Sequence, residues 1–373
     1  MKAGAVTAGN DPPWRAKTRL YFRPLVAALT LIAATTAARA ENLIRLGWCG
    51  PVVSTAAAPF AIAQKLGWFA EGGIKVQLIP LPGSSDCVKQ VATGDLPYSI
   101  PSPEAVALMR LQGVKMKNFY TAYQSNIYGI AVPAESPIQS FTDLKGKTIG
   151  VTSMASAGVV IVRAMASDAG MNPDTDIRIV VGGEGGQTAA LLRNKQLDAL
   201  SQFDAAYALV ENAGIKLRML KDNDRITRFP SNGLVALEKT LTEHRAEAVI
   251  LARGLAMGTV FMQTNPEASV RIMFELYPQT KAIGKDDAEA LADGLRPLKA
   301  RLHAWDLASG GATKYGENIV ANYDAYLAFL AKYGVLKQAV AGSDVVTNEL
   351  IDDSNKFDVE AIRKMAEGYG GRP

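Results

Sequence analysis

The residues best suited to hold a small molecule are serines set just before helical patterns. Segment 153–158 reads Ser-Met-Ala-Ser-Ala-Gly, and segment 84–86 reads Ser-Ser-Asp. Small side chains let a backbone come close to a ligand. A helix starting there presents unpaired N–H groups and the positive end of its dipole. Ser84, Ser85, Ser153, Ser156 and Ala157 are therefore candidate contacts for a carboxylate, sulfonate or phosphate. The plainer reading of the same residues is a helix cap, a common use of Ser. Glu184 and Asp204 follow apolar runs and would receive an amine or a ring N–H, whereas like charge would repel nitrate. Capping the next helix is the other role open to Asp204. Trp48 and Tyr123 offer ring faces for stacking, with core packing as the alternative. Hydroxyls of Ser54 and Ser102 complete the candidate set.

Bond-making chemistry finds little material. The chain has two histidines, His244 and His303, and both fall in its helical last third. There is no Ser-His-Asp spacing, phosphate loop or zinc-ligand motif. Cys49 and Cys87 belong to no metal-binding spacing. The expectation is a binder and not an enzyme, with no metal and no cofactor.

Those candidates need strands to carry them. Apolar runs over 43–48, 74–79, 98–100, 119–123 and 127–132 read as strands, with helices over 59–69, 84–93 and 103–111 between them. The pattern restarts after a loop at 133–142. Strands over 148–151, 177–181 and 199–202 alternate with helices over 157–169, 187–194 and 205–212. One more strand follows at 234–237. Helices are then expected over 242–263, 266–276, 285–301, 313–333 and 356–367. Such alternation argues for parallel sheets with helices on their faces. Two α/β units plus a returning strand and tail predict two lobes. The first is discontinuous, 41–127 with 231–373, and its sheet is covered by the helical tail; the second is 128–230. Crossings near 124–128 and 228–234 would form the hinge. Open α/β sheets bind ligands beyond the carboxyl ends of their strands. That rule selects the candidates above and adds Phe203, Phe229 and Asn232.

The first 40 residues hold six basic side chains against Asp11, an apolar run over 25–38, and Ala38-Arg39-Ala40 at the end. This is the order of parts of a secretory signal peptide cleaved before Glu41. The run is short of the roughly 20 residues of a membrane span. What remains has 34 basic and 35 acidic residues, so no basic surplus exists for nucleic acid. Export implies an oxidising compartment, and Cys49 and Cys87 follow strands expected to be neighbours, so a disulfide is expected.

Pro59, Ala63, Gly67-Trp68-Phe69, Gly73-Ile74 and Val76 form one motif. Asp143-Leu144-Lys145-Gly146-Lys147 with Ile149-Gly150-Val151 forms a second, and Ala189-Ala190-Leu191 with Asp198-Ala199 a third. In this order they resemble the periplasmic solute-binding proteins of ABC transporters for nitrate, sulfonate, taurine and bicarbonate. That family also includes binders of thiamine-precursor pyrimidines. Where the family often has Gly ahead of the Asp-Ala pair, this chain has Lys195. The resemblance implies a two-lobe periplasmic-binding-protein fold of type II. It implies a monomer in the periplasm that closes on a small organic solute, anionic, aromatic or nitrogen-containing, and delivers it to a membrane permease. The alternatives are a binding protein serving a sensor, or an enzyme on the same fold, similar to the pyrimidine-precursor synthases.

Overall fold

The computed structural model describes residues 41–370, apart from the side chains of residues 222 and 225. The segment expected to be a signal peptide lies outside the described residues. Ten strands build two sheets: β1 Asn42–Trp48, β2 Ile74–Pro80, β3 Tyr98–Ser99, β4 Met116–Thr121, β5 Tyr128–Pro133, β6 Thr148–Val151, β7 Arg178–Val181, β8 Ala199–Phe203, β9 Leu217–Met219 and β10 Gly233–Leu237. The first sheet runs β2-β1-β3-β10-β4 and the second β7-β6-β8-β5-β9. In β2, Ile74, Val76 and Leu78 are buried while Lys75 and Gln77 are exposed, the two-residue period of a strand with one face on the core.

Both sheets are mixed, which corrects the expectation of parallel sheets. β1 is parallel to β2 and β3, but β10 is antiparallel to β3 and β4. Likewise β6 is parallel to β7 and β8, but β5 is antiparallel to β8 and β9. The reason is the connection. Parallel neighbours need a long crossover, usually a helix, whereas β5 and β10 enter their sheets directly from the other sheet. The two crossings are tied to each other. Tyr123 N donates to Asn232 O at 3.0 Å, Ser231 N to Tyr123 O at 3.0 Å, and Asn126 N to Thr227 O at 3.0 Å.

The motif at 143–147 shapes a turn. Ser140 and Asp143 form a reciprocal capping box, and Gly146 takes φ +74°, which admits glycine without a Cβ penalty. The chain then enters β6. Lys195 sits at φ +55°, and it alone among the described non-glycine residues has a positive φ. A backbone shape that suits glycine is thus held by a lysine.

The tail reaches both sheets. Helix Arg245–Thr264 lies on helix Ala58–Lys65 beside the first sheet. A Cβ on Gly258 would fall 2.1 Å from Pro59 O, and one on Gly254 2.3 Å from the Phe69 ring, so the close approach depends on both glycines. Helix Asp287–Trp305 instead packs on helix Asp204–Asn212 of the second sheet, where Asn212 Nδ2 donates to Asp293 O at 2.9 Å. Expected tail helices over 285–301 and 313–333 correspond to Asp287–Trp305 and Val320–Lys332.

Candidate functional site

The carboxyl ends of both sheets meet in a seam. Trp48 ends β1, is buried, and donates its Nε1 to Val52 O at 2.9 Å. The next residue, Cys49, is bonded to Cys87 in helix Ser84–Thr93, with Cα atoms 5.8 Å apart. Tyr123 leaves β4 into the first crossing and is buried edge-on against Trp305, ring centroids 4.9 Å apart. Tyr128 opens β5 and meets Phe203, at the end of β8, at 5.9 Å. Trp48, Tyr123, Tyr128, Phe203, Asn232 and Arg301 line a cavity of about 20 Å³, room for roughly one water.

Arg301 gives this seam its charge. It comes from helix Asp287–Trp305 and is only 2% exposed. Its Cζ lies 4.3 Å from the Tyr123 ring centroid and 5.8 Å from that of Phe203. Its Nε lies 2.7 and 2.8 Å from the two carboxylate oxygens of Asp204, and Nη2 reaches Oδ1 at 2.5 Å. Burial works most strongly against the guanidinium charge, but Asp204, Tyr123 and Tyr128 together outweigh it, so the group stays protonated. Burial also raises the Tyr123 hydroxyl, while Arg301 pulls it back.

Glu184 stands apart. The residue as a whole is half-buried, but its Oε1 is shielded from solvent and has no hydrogen-bond partner. Burial lifts its pKa from 4.5 to about 8, against the pull of Arg301. Gln202 beside it donates Nε2 to Gly183 O at 2.9 Å and leaves its own Oε1 shielded and unpartnered.

The serines occupy the rim. Ser153 Oγ donates to Pro82 O at 2.7 Å, and Ser85 N donates to Ala155 O at 3.2 Å, so the two sheets touch here. Ser156 Oγ accepts the Gly158 amide at 3.1 Å, as a helix cap does, and Ala157 begins that helix buried. Ser84 Oγ accepts the Ser102 amide at 3.1 Å, and Ser102 Oγ donates to buried Glu104. Ser54 is buried beside a 220 Å³ pocket between the tail and helix Asp204–Asn212. Of the residues selected from sequence, Trp48, Tyr123, Phe203 and Asn232 line the central cavity. Asp204 is taken up by Arg301 and does not stand free for an amine. A wider groove of 590 Å³ lies on the far side of Asp204, along helix Asp287–Trp305, and shares Ile127 and Tyr128 with the cavity.

Arg301 and Tyr128 escape the strand-end rule, because one sits on a tail helix and the other begins a strand. A signal for Arg301 exists. It falls on the stripe Gly294, Pro297, Leu298, Arg301, Ala304, Trp305, all buried, and a charge on an apolar helix face needs a partner. Among the described residues no cluster of His, Cys, Asp and Glu could hold a metal. No described helix is long and apolar enough to cross a membrane.

A family model described as NMT1/THI5 like matches residues 54–269. Among curated proteins, the chain is 22% identical over 227 residues to the riboflavin-binding protein RibY of Chloroflexus aurantiacus, covering 60% of this chain and 64% of that one. It is 25% identical over 124 residues to the 4-amino-5-hydroxymethyl-2-methylpyrimidine phosphate synthase of Legionella pneumophila, covering 33% and 39%. The chain thus spans under two thirds of the length of either relative. Among solved structures, the alkanesulfonate-binding protein SsuA of Xanthomonas axonopodis, bound to MOPS, superposes with a TM-score of 0.62 at 14% identity, over 82% of this chain and 98% of that one. The periplasmic nitrate-binding protein NrtA of Synechocystis superposes at 0.57 and 13% identity, over 88% and 98%. Other structural neighbours are ligand-binding components of ABC import systems. These likenesses show the periplasmic-binding-protein fold.

Proposed function

The chain belongs to the NMT1/THI5-like family, and we propose that it is the exported substrate-binding component of an ABC importer, closing two lobes on a small organic solute. The moving bodies are 41–127 with 231–373, and 128–230, hinged at the paired crossings. The observation that carries the reading is the seam cavity, where Trp48, Tyr123, Tyr128 and Phe203 surround buried Arg301. Flat apolar walls with a few convergent polar groups are the usual make-up of a small-molecule site. At about 20 Å³ the cavity is too small for such a solute, so entry requires the lobes to part at the rim between Pro82 and Ser153. Trp48 and Tyr123 stack on the solute. Glu184 offers an acceptor, and the hydroxyls and amides of Ser54, Ser84, Ser85, Ser102, Ser153, Ser156 and Ala157 come within reach as the lobes open. The protein works as a monomer in the periplasm and hands its solute to a membrane permease. The names of both curated relatives speak of nitrogen-containing ring compounds, which supports an aromatic solute.

One test is native mass spectrometry of freshly purified mature protein, followed by thermal shift with what co-purifies. A bound mass that raises the melting temperature and compacts the protein in solution scattering supports the proposal. The name of the Legionella relative favours a second reading, an enzyme on this fold. Conversion of the bound compound into product would decide for that reading.

A further inference from the structure

The two sulfurs of the Cys49–Cys87 bond differ in access. Cys49 is half-buried and borders the seam cavity with Trp48 and Gly50. Cys87 is fully buried in helix Ser84–Thr93. Thiol–disulfide exchange proceeds by attack of a thiolate on one sulfur, so access selects Cys49 for attack and leaves Cys87 as the departing sulfur. Cys87 is the fourth residue of its helix, at the end of the first turn, where the dipole favours a thiolate. Asp86 in that turn opposes this and is itself met by Lys89 at 3.7 Å.

The bond also joins two stretches that each touch the second sheet. Cys49 belongs to the turn after β1, closed by Gly50 N donating to Trp48 O at 2.9 Å. A Cβ on Gly50 would lie 3.7 Å from Phe203 Cζ, so this turn rests against the end of β8. Cys87 belongs to the helix whose start reaches the loop after β6, through Ser85 N to Ala155 O and Ser153 Oγ to Pro82 O. We infer that Cys49 is a thiol-exchange site for a small aliphatic thiol, and that opening the bond there loosens both contacts with the second sheet together. The cavity beside Cys49 is about 20 Å³, which suits a slender thiol and excludes a folded protein. The incoming thiolate bonds to Cys49 Sγ as the S–S bond breaks, and Cys87 leaves with the electron pair and takes a proton from water. A second thiolate attacks the added sulfur, forms the reagent's own disulfide and frees Cys49, which is protonated in turn. Two thiols are oxidised and one protein disulfide is reduced. The inference does not depend on which solute the seam holds.

The test incubates the mature chain with reduced glutathione in native buffer, quenches with N-ethylmaleimide and maps the peptides. The expected product carries glutathione on Cys49 and maleimide on Cys87. Pulsed hydrogen–deuterium exchange then compares the oxidised chain, the reduced chain and the double variant Cys49→Ser, Cys87→Ser. Within a pulse of minutes, segments 48–52, 81–86 and 153–156 should exchange roughly tenfold or more faster without the bond, while β1 and β8 stay protected. Glutathione found on Cys87 instead, or no reaction until denaturant is added, overturns the site. Unchanged exchange in 153–156, or loss of protection throughout β1 and β8 in the same pulse, overturns the coupling and leaves the bond a general staple.

Discussion

Arg301 and Asp204 join two parts of the chain 97 residues apart, tail helix to second sheet, by a guanidinium that spans both carboxylate oxygens at 2.7 and 2.8 Å. The pair stands between the 20 Å³ cavity and the 590 Å³ groove and ties the tail helix to a helix of the second sheet. Removing one partner of a buried pair strands the other. Arg301→Met should therefore lower stability by about 3–5 kcal/mol. Adding Asp204→Leu should recover part of that loss. Urea denaturation of both single variants and the double variant measures the coupling.

Glu184 makes stability fall with rising pH. In the unfolded chain its carboxyl titrates near 4.5, and in the folded protein near 8. Between those values the folded state holds the extra proton. Stability attributable to this group is thus complete below pH 4.5 and decreases up to about pH 8, by at most about 1.4 kcal/mol per pH unit. Glu184→Gln should flatten the slope in that window. Melting temperatures of both proteins from pH 5 to about 9 give the comparison.

The close contact at the rim depends on Gly83. Its φ of 175° is ordinary extended backbone, so the requirement is space. A Cβ there would lie 2.4 Å from Ala155 O and 2.5 Å from Ala155 C, backbone just after β6 of the second sheet. Gly83→Val should hold the rim apart, speed ligand release by roughly tenfold or more, and leave association little changed. Stopped-flow release of a bound probe, with scattering for the radius of gyration, reads both effects.

Lys195 carries backbone strain that glycine would not. At φ +55° a side chain costs about 1–2 kcal/mol, partly offset by the greater freedom of glycine when unfolded. Lys195→Gly should raise stability by roughly 0.5–1 kcal/mol. Thermal and urea unfolding test it.

The Cys49–Cys87 bridge closes a 38-residue separation. By chain entropy, its loss through the double change Cys49→Ser, Cys87→Ser should lower stability by about 4 kcal/mol. Reduced native protein should unfold at the same denaturant midpoint as that variant.

Much of the fold is legible in local pattern. Alternating β2 and the serine starts of helices Ser84–Thr93 and Ala157–Asp168 announce themselves within a few residues. Strand direction does not, because β5 and β10 look like their parallel neighbours until pairing is known. Three-residue β9 is too short to show a period. At the site, Trp48 follows from the end of β1 alone. Asp204 looks like an open carboxylate until Arg301 is seen beside it, and no local rule connects residues so distant in sequence. The serines at the rim read equally as caps or contacts, since the same oxygen serves both.

The placement of β10 between β3 and β4 has a consequence for assembly. All strands of the second sheet are present once residue 219 is made, but the first sheet waits for residue 237. A chain emerging N-terminus first therefore begins the first sheet early and completes it late. Until β10 arrives, β3 and β4 keep unpaired edges, the kind that recruit a wrong strand. Pairings this distant in sequence also form slowly. The newly emerged chain passes through a stage with one finished sheet and one open, during which chaperones and neighbouring chains compete with β10 for the gap.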